Sequence, residues 1–415
     1  MEQEVLEQVD RDHIVELACN LANIVSITGE EEEVAKYLGS EFEKLGMSVE
    51  YQYVEDGRPN VIGTLKGTGG GATLMFNAHM DHFDNPQETV VEEDRVYGRG
   101  LVNMKAAFPC YIEAVNAIQK AGVKLKGDLI VSGVVGEIEK AQIGRFQGKT
   151  YRGAGCGARF LMDHGVLADM CIIGEPTGLQ LQIGNSGLLW ARVSVDGKAT
   201  KFVIAACKLA QAIQDWEKDY QRKYPHKFML PTVQIGAIEG GNPFKPGTRP
   251  TTDIFVIVKM FPGTPPLAIK RELEQVCEKV RKREPDILDV RVDLYLTTPG
   301  YEISKNEPVV KAMERAHKVV FSKPVPYPQP IRYGITSDGS RYANYGVPSI
   351  TYGPGFGTHL VDPTDLKAGP EWDNPSGVRR GVGITNMVNC TKVYAVAALD
   401  ICNQKKEDVA KQYKP

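Results

Sequence analysis

The run Leu74-Met75-Phe76-Asn77-Ala78-His79-Met80-Asp81 is apolar until its end, where it carries a histidine, one residue and an aspartate. Histidine is the commonest metal-binding side chain at neutral pH, and a carboxylate two residues on can orient its ring or bind the ion itself. Two later apolar runs end in the same manner. Residues 127–135 lead into Gly136-Glu137-Ile138-Glu139, and residues 168–173 lead into Gly174-Glu175-Pro176-Thr177. A His/Asp pair, a glutamate pair and a lone glutamate at successive run ends supply ligands for a dication and a carboxylate for acid–base work. Between the first two lies Val96-Tyr97-Gly98-Arg99-Gly100-Leu101-Val102-Asn103-Met104-Lys105. Its glycines let backbone approach a ligand closely, and Asn103 stands where a helix begins, so helix capping competes with ligation there. His359, in Gly353-Pro354-Gly355-Phe356-Gly357-Thr358-His359, is the last candidate ligand. His82 adjoins the site and is read as lining it, while His13 belongs near a helix start and His164, His226 and His317 are read as structural.

The elements that must position these groups follow from periodicity. Apolar density without helical spacing marks buried parallel strands, and α/β proteins place their sites at the carboxyl ends of such strands. Residues 12–46 read as two helices, 49–54 and 60–65 as strands, and 106–122 as a helix. From Gly187 the texture changes. A strand over 188–195, a helix over 202–220, strands over 232–238 and 252–261, a helix over 265–283 and a strand over 290–297 give the order β-α-β-β-α-β of a ferredoxin-like unit. The chain then returns through a helix over 307–321, a strand near 349–353 and a last helix over 386–402. The expected fold is α/β: a mixed, mostly parallel sheet flanked by helices over residues 1–186 and 298–415. Residues 187–297 form an inserted ferredoxin-like α+β lid and dimerisation domain.

At 415 residues, two domains are the default, and 42% hydrophobic with 24% charged residues is the composition of a globular protein. A net charge of -3 gives no electrostatic reason for nucleic acid or an anionic membrane as partner. Eight scattered cysteines without a CxxC pair, and an acidic start without an apolar signal core, fit a cytoplasmic location.

These motifs resemble the two-metal amidohydrolases and exopeptidases, the family of acetylornithine deacetylase, succinyl-diaminopimelate desuccinylase, aminoacylase and carboxypeptidase G. The likeness covers nearly the whole chain. It implies that His79 and Glu175 hold one metal, that Asp81 orients His79, and that Glu137 is the general base. The same resemblance places Asn103 where the family has an aspartate bridging two metals, and Ile138 where it has a glutamate of the second metal. Glu139 could compensate by a shifted register, and His359 corresponds to the family's late histidine. With Asn103 and Ile138 in those places, one labile divalent transition ion, Mn2+ or Zn2+, is expected.

The lid also departs from the family pattern. Gly197-Lys198-Ala199-Thr200-Lys201 lacks the histidine that stabilises the oxyanion of amide cleavage, a donor worth about 3 kcal/mol. That pattern is similar to the branch that displaces an amine from an activated aromatic ring, such as 5-nitroanthranilic acid aminohydrolase. The first expectation is therefore release of ammonia from an activated aromatic amine by metal-activated water, with Glu137 as base. An N-acyl amino acid deacylase or dipeptidase with a rearranged site is the alternative, and a catalytically inactive binding relative is a further one. The substrate is expected to be a small aromatic or amino-acid-like carboxylate. Its anion would be paired by Arg341 or Lys201, with Arg145, Arg152 and Arg159 in reserve. A homo-oligomer, a dimer or larger, is expected through the lid.

Overall fold

A computed structural model describes residues 1–83, 86–138, 153–198, 201–226, 231–240, 251–328, 336–355 and 381–409. The chain divides into two compact units. The first comprises Met1–Gly184, Ile303–Pro328 and Ser337–Pro415, the second Asn185–Glu302 and Gln329–Thr336.

The first unit is built on a six-stranded sheet. Its strands lie in the order Ser48–Glu55, Arg58–Leu65, Leu129–Val134, Leu74–His79, Met170–Ile173, Ser349–Thr351. The first two pairings are antiparallel and the remaining three parallel, which makes the sheet mixed and mostly parallel. Leu74–His79, Leu129–Val134 and Met170–Ile173 are buried along their whole length, as near-continuous apolar runs in the middle of a covered sheet must be. Register decides where the chemistry goes. His79 lies opposite Val134 and Asn77 opposite Ile173, so all three strands stop at one edge and release Asp81, Glu137 and Glu175 there.

The helices cover this sheet with apolar stripes. Asp10 caps Arg11–Asn23, accepting from the Asp12 and His13 amides at 2.9 and 3.2 Å, and Ile14, Leu17, Ala18, Leu21 and Ala22 turn inward at helical spacing. Ala107–Lys120 and Ile384–Asn403 are buried along most of their lengths. Between them and the sheet Phe76 stacks on Tyr111 with ring centroids 4.8 Å apart, and Tyr394 tilts against both. His13, expected near a helix start, is there, and its Nδ1 meets Glu113 Oε2 at 2.6 Å. A short helix, Glu2–Glu7, precedes these elements, seated by buried Val5 and an Arg315–Glu2 ion pair at 2.7 Å.

One buried ion pair stands behind the site. Arg58 donates through Nε and Nη2 to Glu31 at 2.8 and 2.7 Å and through Nη1 to Glu55 at 2.7 Å. Two carboxylates on one buried guanidinium is the arrangement an interior charge requires.

The second unit is a four-stranded antiparallel sheet in the order Val233–Gly240, Thr251–Met260, Gly187–Gly197, Ile287–Thr298. Phe202–Lys223 and Pro266–Arg281 connect these strands in the β-α-β-β-α-β sequence and pack Ala206, Leu209, Ile213, Ile269 and Leu273 into one core with Val193, Val195, Ile254 and Val256. Lys201 is exposed at the start of the first of these helices, with Nζ 3.8 Å from Asp286. Among the described residues, no helix is long and apolar enough to cross a membrane.

Candidate metal centre

His79 is the last residue of its strand and is wholly buried. Its Nδ1 lies 2.9 Å from the backbone carbonyl of Asp81, and since a carbonyl only accepts, Nδ1 carries the proton. In the neutral ring Nε2 is then a lone pair that can bind an ion. Three more acceptors face it: Asn103 Oδ1 at 3.1 Å, Glu137 Oε2 at 3.7 Å and Glu175 Oε1 at 4.0 Å. Glu137 and Glu175 are 8% and 2% exposed, so water is largely kept from both. One donor atom from each of His79, Glu137 and Glu175 lies within 4.8 Å of the others. With the ring neutral all four groups accept, and converging acceptors repel unless a cation, a proton on Nε2 or a metal ion, sits between them. A nitrogen with two carboxylate oxygens suits a borderline dication such as Zn2+ or Mn2+.

Charge at the site follows from the same geometry. Burial pushes the His79 imidazolium pKa down, but Asp81, Glu137 and Glu175 outweigh it, and the group lies well above its ordinary value. Asp81 is the opposite case. Burial pushes its carboxyl up, while His79, Thr28 and the amide N–H of Glu137 hold it below the usual range.

Asp81 does more than face the ring. Its Oδ1 accepts from the Glu137 amide at 3.0 Å, and its Oδ2 from the Ile138 amide at 3.1 Å and the Thr28 hydroxyl at 2.7 Å. Its carboxylate lies 3.4 Å from His79 Nδ1, farther than its own carbonyl, so the backbone is the ring's nearer partner. The expected role of orienting His79 is therefore shared, and the carboxylate's other work is to hold the loop that carries Glu137. Replacing Thr28 by valine keeps the shape and removes one hydrogen bond to a buried charge. Chemical denaturation should show a loss of about 1.5–3 kcal/mol, and no loss would mean that Thr28 adds nothing to Asp81.

A strap that follows the helix Arg11–Asn23 supports this corner. Ser26 Oγ donates to the Met80 carbonyl at 2.7 Å, its amide donates to His82 Nε2 at 3.1 Å, and the His82 amide returns to Ser26 O at 2.9 Å. Lys105 Nζ, fully buried, donates to Leu21 O and Ile24 O at 2.8 Å each and to Ser26 Oγ at 3.3 Å. Burial, helped by nearby Arg99, pushes the Lys105 ammonium down to about 7. His82, expected to line the site, is pushed down to about 4, chiefly by burial, and serves as a buried acceptor within this strap.

Asn103 lies in a short irregular turn with φ, ψ of -133°, 98°, and the helix that follows, Ala107–Lys120, starts from Ala106 as its cap, so the competing role of helix cap does not describe Asn103. Ile138 is buried at 2% exposure and offers the centre no donor atom. Arg341, expected to pair the substrate anion, is half-buried and donates through Nη2 to the Ala154 carbonyl at 2.7 Å. Burial pushes its guanidinium down while Asp338 and Glu137 pull it back up, which puts it within electrostatic reach of the glutamate. Arg159 is exposed beside Asp163 at 3.5 Å. Glu139, His359, Arg145 and Arg152 lie outside the described residues.

Known proteins of this architecture share both sequence and shape with the chain. N-formyl-4-amino-5-aminomethyl-2-methylpyrimidine deformylase of Bacillus subtilis (strain 168) is 23% identical over 91% of this chain and 91% of its own. Acetylornithine deacetylase of Vibrio campbellii is 26% identical over 68% of this chain and 75% of its own. Among solved structures, the dipeptidase Dug1p of Saccharomyces cerevisiae superimposes with a TM-score of 0.73 at 11% identity, covering 97% of this chain and 99% of that one. The sequence model of peptidase family M20/M25/M40 matches residues 75–365, the span that carries His79, Asn103, Glu137 and Glu175. With that match over more than half its length, the chain belongs to the peptidase family M20/M25/M40 and is a metal-dependent hydrolase of C–N bonds.

Proposed function

We propose that this protein removes an acyl group, of the formyl or acetyl size, from the nitrogen of a small amine. The observation that supports this most is the convergence of His79 Nε2, Asn103 Oδ1, Glu137 Oε2 and Glu175 Oε1 at one buried point, all of them acceptors. Relatives aligned along most of the chain are a deformylase and a deacetylase, which favours acyl removal over the ring deamination expected first.

In this reading His79 and Glu175 hold one dication, with Asn103 Oδ1 as a neutral third donor. A bound dication supplies Lewis acidity and makes water a nucleophile near neutral pH. Glu137 accepts a proton from the attacking water through the oxygen that faces His79 and returns it to the departing amine nitrogen. Asp81 keeps Glu137 in place by gripping the amides on both sides of its carbonyl. Ile138 fills with hydrocarbon the position where the family has a second-metal carboxylate, so the centre is mononuclear.

The test pits the two expectations against each other. Protein reconstituted with Zn2+ or Mn2+ is given N-formyl and N-acetyl derivatives of small amines, and separately 5-nitroanthranilate. Release of formate or acetate is expected. Ammonia from the nitro compound, with no acid released from the amides, would restore the ring-deamination reading.

A further inference from the structure

We propose that Arg99 is an anion-recognition residue of this hydrolase, a guanidinium on the turn that packs against His82, set to receive the carboxylate of the substrate. The inference rests on the hydrolase reading only for the identity of the reaction that the subsite serves.

Arg99, half-buried, differs from the buried Arg58 of this unit. Arg58 has two carboxylates bonded to its guanidinium. The Arg99 Nε is buried too, yet no acceptor bonds to it, and among the described residues no carboxylate pairs with any of its nitrogens. A desolvated donor without a partner costs about 1–3 kcal/mol, more on a charged group, and such groups persist where a ligand supplies the missing acceptor. The surroundings add no compensation. Lys105, a cation that feels Arg99, is already committed to Leu21 O, Ile24 O and Ser26 Oγ, and His82 is an uncharged acceptor. Asp81, the carboxylate next to His82 in the chain, is occupied by Thr28, His79 and the amides of Glu137 and Ile138.

The backbone holds Arg99 where it is. Gly100 takes φ +67°, the left-handed region, and a methyl there would come within 2.7 Å of Lys105 Cε and 3.0 Å of His82 Cβ. A methyl on Gly98 would meet Ala22 Cβ at 2.4 Å. The turn is therefore pressed against His82, one residue from Asp81, and Arg99 cannot drift away from that corner. Nε and its neighbouring Nη form the side edge of the guanidinium, whose two parallel N–H groups match the two oxygens of a carboxylate. A carboxylate bound there would satisfy the orphaned donor and offset the local excess of positive charge.

The experiment is titration calorimetry on the zinc-loaded protein with three carboxylates, N-acetylglycine, benzoate and succinate, and with the neutral N-acetylglycinamide. Wild type should bind at least one of the acids in preference to the amide. In Arg99→Ala the preference should fall by about tenfold to a hundredfold, the loss of a charge-assisted pair. Arg99→Lys, which keeps the charge and loses the fork, should retain part of it and guards against a folding defect in the alanine variant. An unchanged preference in both variants, the result if the acid meets only the dication or Arg341, overturns the assignment. So does wild type that binds none of the three acids. An acid preference that depends on Arg99 in a protein that hydrolyses no amide would fail the hydrolase reading while leaving the subsite standing.

Discussion

His79→Ala should reduce the affinity for the dication by about a hundredfold or more and take turnover to background. Removing even an outer partner of a metal ligand costs about 10–100-fold, and among the described residues His79 is the only histidine at the convergence point. A chelator should reproduce the loss in wild type, and added Zn2+ should reverse it there but not in the variant. The stoichiometry carries a second expectation. With Ile138 apolar and buried, dialysed wild type should hold one dication per chain by elemental analysis. Two tightly held ions would mean that donors outside the described residues complete a second position. An active His79→Ala protein would remove the metal centre from the mechanism altogether.

Glu137→Gln should separate binding from chemistry. The amide has the shape of the acid and cannot take a proton, so turnover should fall by about 10²–10⁴-fold, the usual contribution of a positioned base. Dication content should stay near one, since His79 and Glu175 remain. The outcome distinguishes two roles that the geometry brings close together, because Glu137 Oε2 is nearer His79 Nε2 than Glu175 Oε1 is. Loss of the ion together with activity would make Glu137 a ligand and move the base elsewhere, with Glu139 the first candidate. Retained turnover would exclude Glu137 as the base.

Much of this site was legible as residue types at the ends of apolar runs. A parallel sheet puts every strand's carboxyl end on one edge, so His79, Asp81, Glu137 and Glu175 had to be neighbours once the runs were read as parallel strands. The ferredoxin-like order of the second unit was equally open, because alternation and helical spacing switch cleanly along residues 187–298. What stayed hidden has one physical character. Thr28 reaching Asp81, Ser26 reaching Met80 and Lys105 reaching Leu21 and Ile24 are contacts made to backbone or across more than fifty residues. No period in the sequence encodes such pairings. Lys105 is an example: nothing in its neighbours marks it as buried, yet it is. Arg99 was passed over for a related reason: a partnerless guanidinium looks like any other arginine until its surroundings are known. The preference for ring deamination rested on a histidine missing from the lid, and an absence in one loop weighed less than the likeness of the whole chain to acyl-removing relatives.

The bare Nε2 of His79 has one more consequence. A proton and a dication compete for the same lone pair, and the three carboxylates that would welcome the ion also strengthen the grip on the proton. Loading the centre is thus an exchange reaction, in which each ion taken up displaces an imidazolium proton into the buffer wherever that proton was bound beforehand. Apparent affinity for the ion should climb with pH until the raised imidazolium pKa is passed and then level off. Acidification would strip the centre, so in a mildly acidic medium the limiting resource for this enzyme would be free base at His79 rather than metal.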